Sequence, residues 1–137
     1  MARAEIHSDQ LNLASHLDAV RSSGYGAVVT FIGQTRDHDP DVSGEVELIV
    51  YSAHPDAAEI LQRVADDVEV PETRIVVSHR IGSVPVGEPA LIACIASAHR
   101  AEAFRLSPIL IDRIKTEVPI WKRQKTVTGS HSWKGLE

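Results

Sequence analysis

The chain has 137 residues, 43% of them hydrophobic, and a formal net charge of −5 at pH 7. This length predicts a single domain over residues 1–137, with enough apolar side chains to bury a core. The acidic balance argues against a general nucleic-acid-binding protein, which usually presents a strongly basic face. No run of about 18 apolar residues occurs, so no membrane span is expected.

Two further features favour a cytoplasmic protein. The N-terminal ten residues lack the apolar core of a signal peptide. The only cysteine, Cys94, lies in an apolar run, so no intrachain disulfide can form and a buried, inert thiol is expected.

The first half of the chain shows two helical patterns and two strand patterns. Helices are indicated by apolar residues at helical spacing, with capping residues or a first-turn proline at their starts. Strands are indicated by β-branched runs bounded by turn residues. The predicted elements are a helix from Ser8 or Asp9 to Gly24, strands over 26–33 and 45–52 around a loop at 34–44, and a helix from Pro55 to about Val70.

The second half predicts two more strands, a long helix and a last short strand. Pro108 falls inside the helix, where a proline costs about 3 kcal/mol, so a bent helix or two shorter ones are expected. Its predicted inner face consists of Phe104, Ile111 and Ile114, with Leu110 beside them. The predicted elements are strands over 73–80 and 90–98 joined by a turn, a helix from His99 to about Thr116, and a strand over 121–129, with Trp133 as an anchor for the tail.

This order does not alternate strand and helix strictly enough for a doubly wound sheet. Short connections between the middle strands instead predict an α+β domain with a mixed or mostly antiparallel sheet and two to three helices.

The stretch from Ile111 to Gln124 combines cations with apolar residues. Lys115, Lys122 and Arg123 flank an apolar segment in which Pro119 must redirect the backbone. Arginine and lysine side chains bind phosphate or carboxylate groups. An anion-binding active site is therefore predicted here, although each cation taken singly could be an ordinary surface residue.

No metal site is predicted from the residues. His79 and His99 each precede an arginine, but a hairpin of strands 73–80 and 90–98 would separate them by roughly 17 Å, at about 3.3 Å per residue. Neither a zinc-ligand spacing, a nucleophile elbow nor a nucleotide-binding glycine loop occurs.

Five segments, in order and register, resemble the large, catalytic subunit of molybdopterin synthase. The strongest are KTEVPIWKRQ (115–124) and SAHRAEAF (97–104), and the others are GAVVTFIGQTR (26–36), LIVYSAHPDAA (48–58) and SHRIGSVPVGE (78–88). The resemblance spans roughly residues 5 to 133.

The resemblance implies an α/β-hammerhead fold, a homodimer, and a heterotetramer with two small ubiquitin-like subunits ending in Gly-Gly. It implies that the C-terminal thiocarboxylate of that partner supplies sulfur to cyclic pyranopterin monophosphate. The product carries a dithiolene, and neither a metal nor another cofactor is required.

The resemblance also assigns roles to individual residues. Lys115 and Lys122 are implied to be catalytic. The implied substrate-binding residues are Arg36, His99 and Arg100, and the cationic stretch adds Arg123. The implied channel for the partner's tail is formed by Phe31, Pro119 and Trp121.

Three positions depart from the family pattern: Gln124 stands where a glutamate is usual, Pro108 interrupts the helix, and the tail is short. Two alternatives to the implied function stay open, and Gln124 is the feature that keeps the first of them. One is a noncatalytic docking module for a Gly-Gly tail, and the other is a phosphate-binding protein without a protein partner.

Overall fold

A computed structural model describes residues 1–40, 44–127 and the backbone of 131–134. These residues form eight strands and three helices. In chain order they are β1 (Arg3–His7), α1 (Leu13–Val20), β2 (Ala27–Gln34), β3 (Val46–Ala53), α2 (Ala57–Val68), β4 (Thr73–Arg80), β5 (Gly82–Pro85), β6 (Pro89–Ser97), α3 (Arg100–Glu117), β7 (Ile120–Thr126) and β8 (His131–Lys134).

The first sheet is four-stranded, in the order β1-β4-β6-β2. β1 pairs with β4 in parallel, and the other pairs are antiparallel. Side chains alternate between the two faces of a strand. Ile75 and Val77 of β4 therefore join the main core beneath α2 and α3, while Val76 joins a second core beneath α1.

The second sheet is four-stranded and antiparallel, in the order β5-β3-β7-β8. Ala53 of β3 and Ile120 of β7 pack against the main core. The second sheet therefore meets the first near the C-terminal end of α3, where β7 begins.

The predicted α+β class with three helices and mostly antiparallel pairing is confirmed, although the strands form two sheets. The first helix was predicted to start too early. Asn12 is its N-cap, and its side-chain oxygen accepts a hydrogen bond from the amide of Ser15 at 3.0 Å. Three short strands were missed: β1, β5 and β8.

The structure decides between the two forms expected for α3 and corrects its inner face. The helix runs unbroken from Arg100 to Glu117 with Pro108 inside it, so two shorter helices are excluded. Phe104 is 62% exposed and does not belong to the inner face. The buried positions, which follow helical spacing, are Ala103, Leu106, Leu110, Ile111 and Ile114.

None of the described helices is long and apolar enough to cross a membrane. The side chain of Trp133 lies outside the described part of the chain, so its predicted anchoring role stays a prediction.

Candidate active site

A cavity of about 280 Å³ lies between the two sheets, beside the last turn of α3. The lining includes Phe31 of β2, Arg36 from the loop after that strand, Lys115 of α3 and Lys122 of β7. Four residues that the resemblance assigned to the site therefore converge in one space, although they lie far apart in sequence.

The end of α3 sets the position of the two lysines. The amide of Val118 donates to the carbonyl of Ile114 at 3.1 Å and closes the helix, and Pro119 then directs the chain into β7. The carbonyl of Pro119 accepts a hydrogen bond from the amide of His54 at 3.0 Å, which fixes this turn against the end of β3. Lys115 in the last turn and Lys122 in the following strand therefore both face the cavity.

Alternation along β7 divides its side chains between two faces. Ile120, Lys122 and Gln124 line the cavity. Trp121 and Arg123 alternate with them, so they point to the opposite face of the second sheet. They therefore do not line the cavity.

The charged lining of the cavity is mainly cationic. Arg36, Lys115 and Lys122 face a single lining carboxylate, that of Asp39. Lys115 is exposed and Lys122 is half-buried. A cationic cleft inside an acidic protein attracts anions locally despite the net charge.

Two further lining residues, Tyr51 and His79, are uncharged at neutral pH. Their rings meet edge to face, with centroids 5.0 Å apart. Burial raises the pKa of Tyr51 to about 12. Burial, helped by the charge of Lys115, lowers the pKa of His79 to about 4, although a hydrogen bond with the carbonyl of Arg80 works in the opposite direction.

The side-chain amide of Gln124 is the most deeply buried polar group in the lining, with the residue 1% exposed. Its nitrogen Nε2 donates to Oδ2 of Asp39 at 2.8 Å, which holds the loop that carries Arg36 against β7. Its oxygen Oε1 is buried and has no hydrogen-bond partner among the described residues.

His99 and Arg100 lie away from this cavity. Both are exposed, at the N-terminal end of α3, with His99 as the N-cap residue. Arg100 and Lys115 are separated by about 22 Å along the helix axis, at 1.5 Å per residue. Of the amide groups at this helix start, that of Ala103 donates to Oγ of Ser97 at 3.2 Å.

Sequence reasoning assigned no site role to Tyr51, His79 or Asp39. Tyr51 pairs directly with Lys122 across β3 and β7, and this pairing is not visible without the register. His79 was considered as a metal ligand. Among the described residues, no group of three or more His, Cys, Asp and Glu side chains converges as a metal site would require.

Comparison with known proteins places the whole arrangement in one family. Residues 6–117 match the family model described as MoaE protein. The molybdopterin synthase catalytic subunit 1 of Mycobacterium tuberculosis is 34% identical over 91% of this chain and 85% of its own length. The molybdopterin synthase catalytic subunit of Thermoplasma volcanium is 34% identical over 94% of this chain and 95% of its own length.

Solved structures have the same fold. The crystal structure of molybdopterin synthase from Staphylococcus aureus superposes with a TM-score of 0.87 at 30% identity, covering 96% of each chain. A complex of subunits 1 and 2 of molybdopterin-converting factor from Helicobacter pylori gives a TM-score of 0.76 at 17% identity, which supports the fold alone. The family match and the curated relatives, taken with the fold, show that this chain belongs to the MoaE family, whose relatives reported above are molybdopterin synthase catalytic subunits.

Proposed function

We propose that this chain is the catalytic subunit of a molybdopterin synthase and works as a sulfurtransferase in the cytoplasm. It takes sulfur from the C-terminal thiocarboxylate of a small ubiquitin-like subunit and adds it to cyclic pyranopterin monophosphate. The observation that carries the proposal is the convergence of Arg36, Lys115 and Lys122 in one cavity. Such a cluster suits a substrate with a phosphate and a reaction that passes through anionic species.

An external sulfur donor follows from the state of Cys94. Its thiol is buried in the core beneath α1, on the face of the first sheet that lies away from the main core. Burial raises its pKa, so the nucleophilic thiolate is disfavoured. A chain whose single thiol is inert cannot supply the two sulfur atoms of a dithiolene.

The two lysines have different parts in this proposal. Exposed Lys115 contacts the terminal carbonyl of the partner's tail and the substrate, and moves protons as sulfur attacks. Half-buried Lys122 stabilises the anionic intermediate or the leaving oxygen, beside the uncharged phenol of Tyr51. Arg36 binds the phosphate, for which its planar guanidinium is suited.

The partner's tail needs a narrow apolar path to the lysines. Phe31 lies in the cavity wall and fits that role. Pro119 fixes the backbone between the two lysines. Trp121 packs edge to face with His54, with ring centroids 6.4 Å apart, and remains 36% exposed. It is therefore suited to contact the body of the partner outside the cavity.

His99 and Arg100 enter the proposal through the homodimer. A separation of about 22 Å along α3 is too long for Arg100 and Lys115 of one protomer to share a pterin-sized ligand. We assign the pair to the cavity of the second protomer, where they bind phosphate or pterin. Arg123, on the outer face of the second sheet, is assigned to the same subunit contact. The assembly is then a heterotetramer, with two of these chains and two small subunits.

The test is reconstitution with thiocarboxylated small subunit and cyclic pyranopterin monophosphate. Loss of a positioned acid–base group typically costs 10²–10⁴-fold, so Lys115→Ala is expected to reduce dithiolene formation by about 100-fold or more. Lys125→Ala is the matched control, because Lys125 lies on the same strand and alternates away from the cavity.

The outcomes separate the alternatives. Product from the wild type and from Lys115→Ala alike would refute the role of Lys115 and direct attention to Lys122. Bound partner without product from the wild type would favour a docking module. Absence of partner binding would favour a phosphate-binding protein.

A further inference from the structure

The buried oxygen Oε1 of Gln124 is the feature of the cavity that the proposed reaction leaves unexplained. A buried acceptor without a partner is costly, and nearly all such groups in folded proteins are satisfied. This one belongs to a residue that is 1% exposed and lines the cavity. A ligand that supplies a hydrogen-bond donor would remove that cost.

The orientation of the amide is determined by its other contact. Asp39 presents a carboxylate oxygen 2.8 Å from the terminal atom that acts as donor. A carboxylate accepts hydrogen bonds, so this atom must be the nitrogen of the amide and not its oxygen. The oxygen is therefore the end that is left without a partner.

The chemistry of an amide oxygen limits what it can recognise. It accepts hydrogen bonds and carries no charge, so phosphate and carboxylate groups, which also only accept, do not fit it. The cations Arg36, Lys115 and Lys122 are the groups that bind those anions. The cavity thus offers donors to anionic groups and one acceptor to an N–H group.

We propose that Oε1 of Gln124 accepts a hydrogen bond from an N–H group of the bound ligand and so orients that ligand relative to Lys115 and Lys122. This inference rests on the proposed function. Two ligands of that reaction carry such a group: the pterin ring, through its ring N–H and amino groups, and the backbone amide of a glycine in the partner's tail.

Gln124→Met tests the proposal, because methionine has nearly the same shape and no comparable acceptor. Loss of one hydrogen bond is expected to raise the KM for the ligand concerned about tenfold. Gln124→Glu combined with Asp39→Asn exchanges the donor and the acceptor of the contact with the loop, keeps an acceptor oxygen for the ligand, and is expected to recover most of that loss. Thermal unfolding of each variant shows whether the fold is retained, and Gln124→Asn, which is one methylene shorter, replaces Gln124→Met if that variant does not fold.

Two control variants separate ligand contact from other effects. Asp39→Ala removes the hydrogen bond that Gln124 makes to the loop and leaves the oxygen in place. If Gln124 acts only by holding the loop, Asp39→Ala and Gln124→Met will raise KM equally, and the proposal is wrong. Thr35→Val removes another buried side-chain oxygen without a described partner, at a residue outside the cavity lining, and is expected to leave KM unchanged.

Direct binding measurements identify the donor. Calorimetry with cyclic pyranopterin monophosphate alone, and separately with the small subunit bearing an unmodified Gly-Gly end, is compared for wild type and Gln124→Met. Weaker binding in one arm assigns the N–H group to that ligand. Unchanged affinity in both arms and an unchanged KM overturn the inference. Failure of the wild type to form product under the same conditions would instead overturn the proposed function.

Discussion

At the scale of single residues, His79 shows how the cavity keeps a titratable side chain neutral. Nδ1 of the ring lies 2.8 Å from the carbonyl of Arg80, which fixes this nitrogen as the one that carries hydrogen. The edge of the ring packs against Tyr51, and the positive charge of Lys115 opposes protonation. The cavity therefore has positive charge on Arg36, Lys115 and Lys122, which anions can reach, and the imidazole of His79 adds none at neutral pH.

This arrangement predicts a pH dependence of stability. The pKa of His79 is about 4 in the folded chain and about 6.5 when unfolded, so the unfolded chain binds more protons between these values. The free energy of unfolding therefore falls as pH drops from 6.5 through 4. Denaturant titrations across this range are expected to give a shallower fall for His79→Gln than for the wild type. Identical slopes for both proteins would contradict the lowered pKa.

At the scale of secondary structure, α3 contains a proline in its interior. Pro108 cannot donate to the carbonyl four residues earlier, that of Phe104, and its ring crowds that carbonyl. The helix persists because five of its side chains are buried in the main core. Tertiary packing therefore outweighs the local cost that led to the expectation of a bent helix or two shorter ones.

Pro108→Ala is expected to stabilise the protein. Alanine removes the whole cost of a proline in a helix interior, about 3 kcal/mol, while the unfolded chain regains roughly 1 kcal/mol of freedom. The free energy of unfolding should therefore rise by about 2 kcal/mol, as measured by denaturant unfolding. Asp112→Ala, at an exposed position one turn later, serves as the control and should change it by less than about 0.5 kcal/mol. Equal or lower stability of Pro108→Ala would contradict this account.

How well each element could be predicted depended on how much of its signal was local. β4 was predicted with the observed bounds, because its run of β-branched residues is buried on both faces of the sheet. The start of α1 was misjudged because Ser8, Asp9 and Asn12 are all good caps, and only packing distinguishes them. β1 was missed because it is a short edge strand with charged residues at alternate positions.

The residues of the candidate site also differ in how far a local sequence pattern could identify them. Lys115 and Lys122 lie in one short segment, so a local motif located both. Tyr51 and His79 belong to strands of different sheets, and they meet only because the sheets converge beside α3. No local pattern contains that information. The opposite placement of Trp121 and Arg123 could have been inferred from strand alternation, once 120–126 was treated as a strand.

At the scale of the whole molecule, the proposed homodimer makes each active site a product of two chains. Arg100 then serves the cavity of one protomer while Lys115 of the same chain serves the other. Arg100→Ala and Lys115→Ala would each inactivate both sites of their own homodimers. A mixed dimer would hold one site with both defects and one intact site.

Subunit mixing tests this arrangement. When the two variants are unfolded together in equal amounts and refolded, half of the dimers are mixed, and activity should return to about a quarter of the wild-type value. The separately refolded variants are the controls. Activity of the mixture no higher than the mean of the controls would show that Arg100 does not complete the cavity of a second protomer.

The alternation of β7 also bears on how this protein can change over evolutionary time. Ile120, Lys122 and Gln124 line the cavity, while Trp121 and Arg123 lie on the opposite face of the strand. A substitution on one face of the strand leaves the side chains on the other face in place. A one-residue deletion would instead move each side chain beyond it to the other face, bringing Trp121 and Arg123 toward the cavity and turning Lys122 away from it. Variation in this strand should therefore accumulate by replacement, with its length held constant.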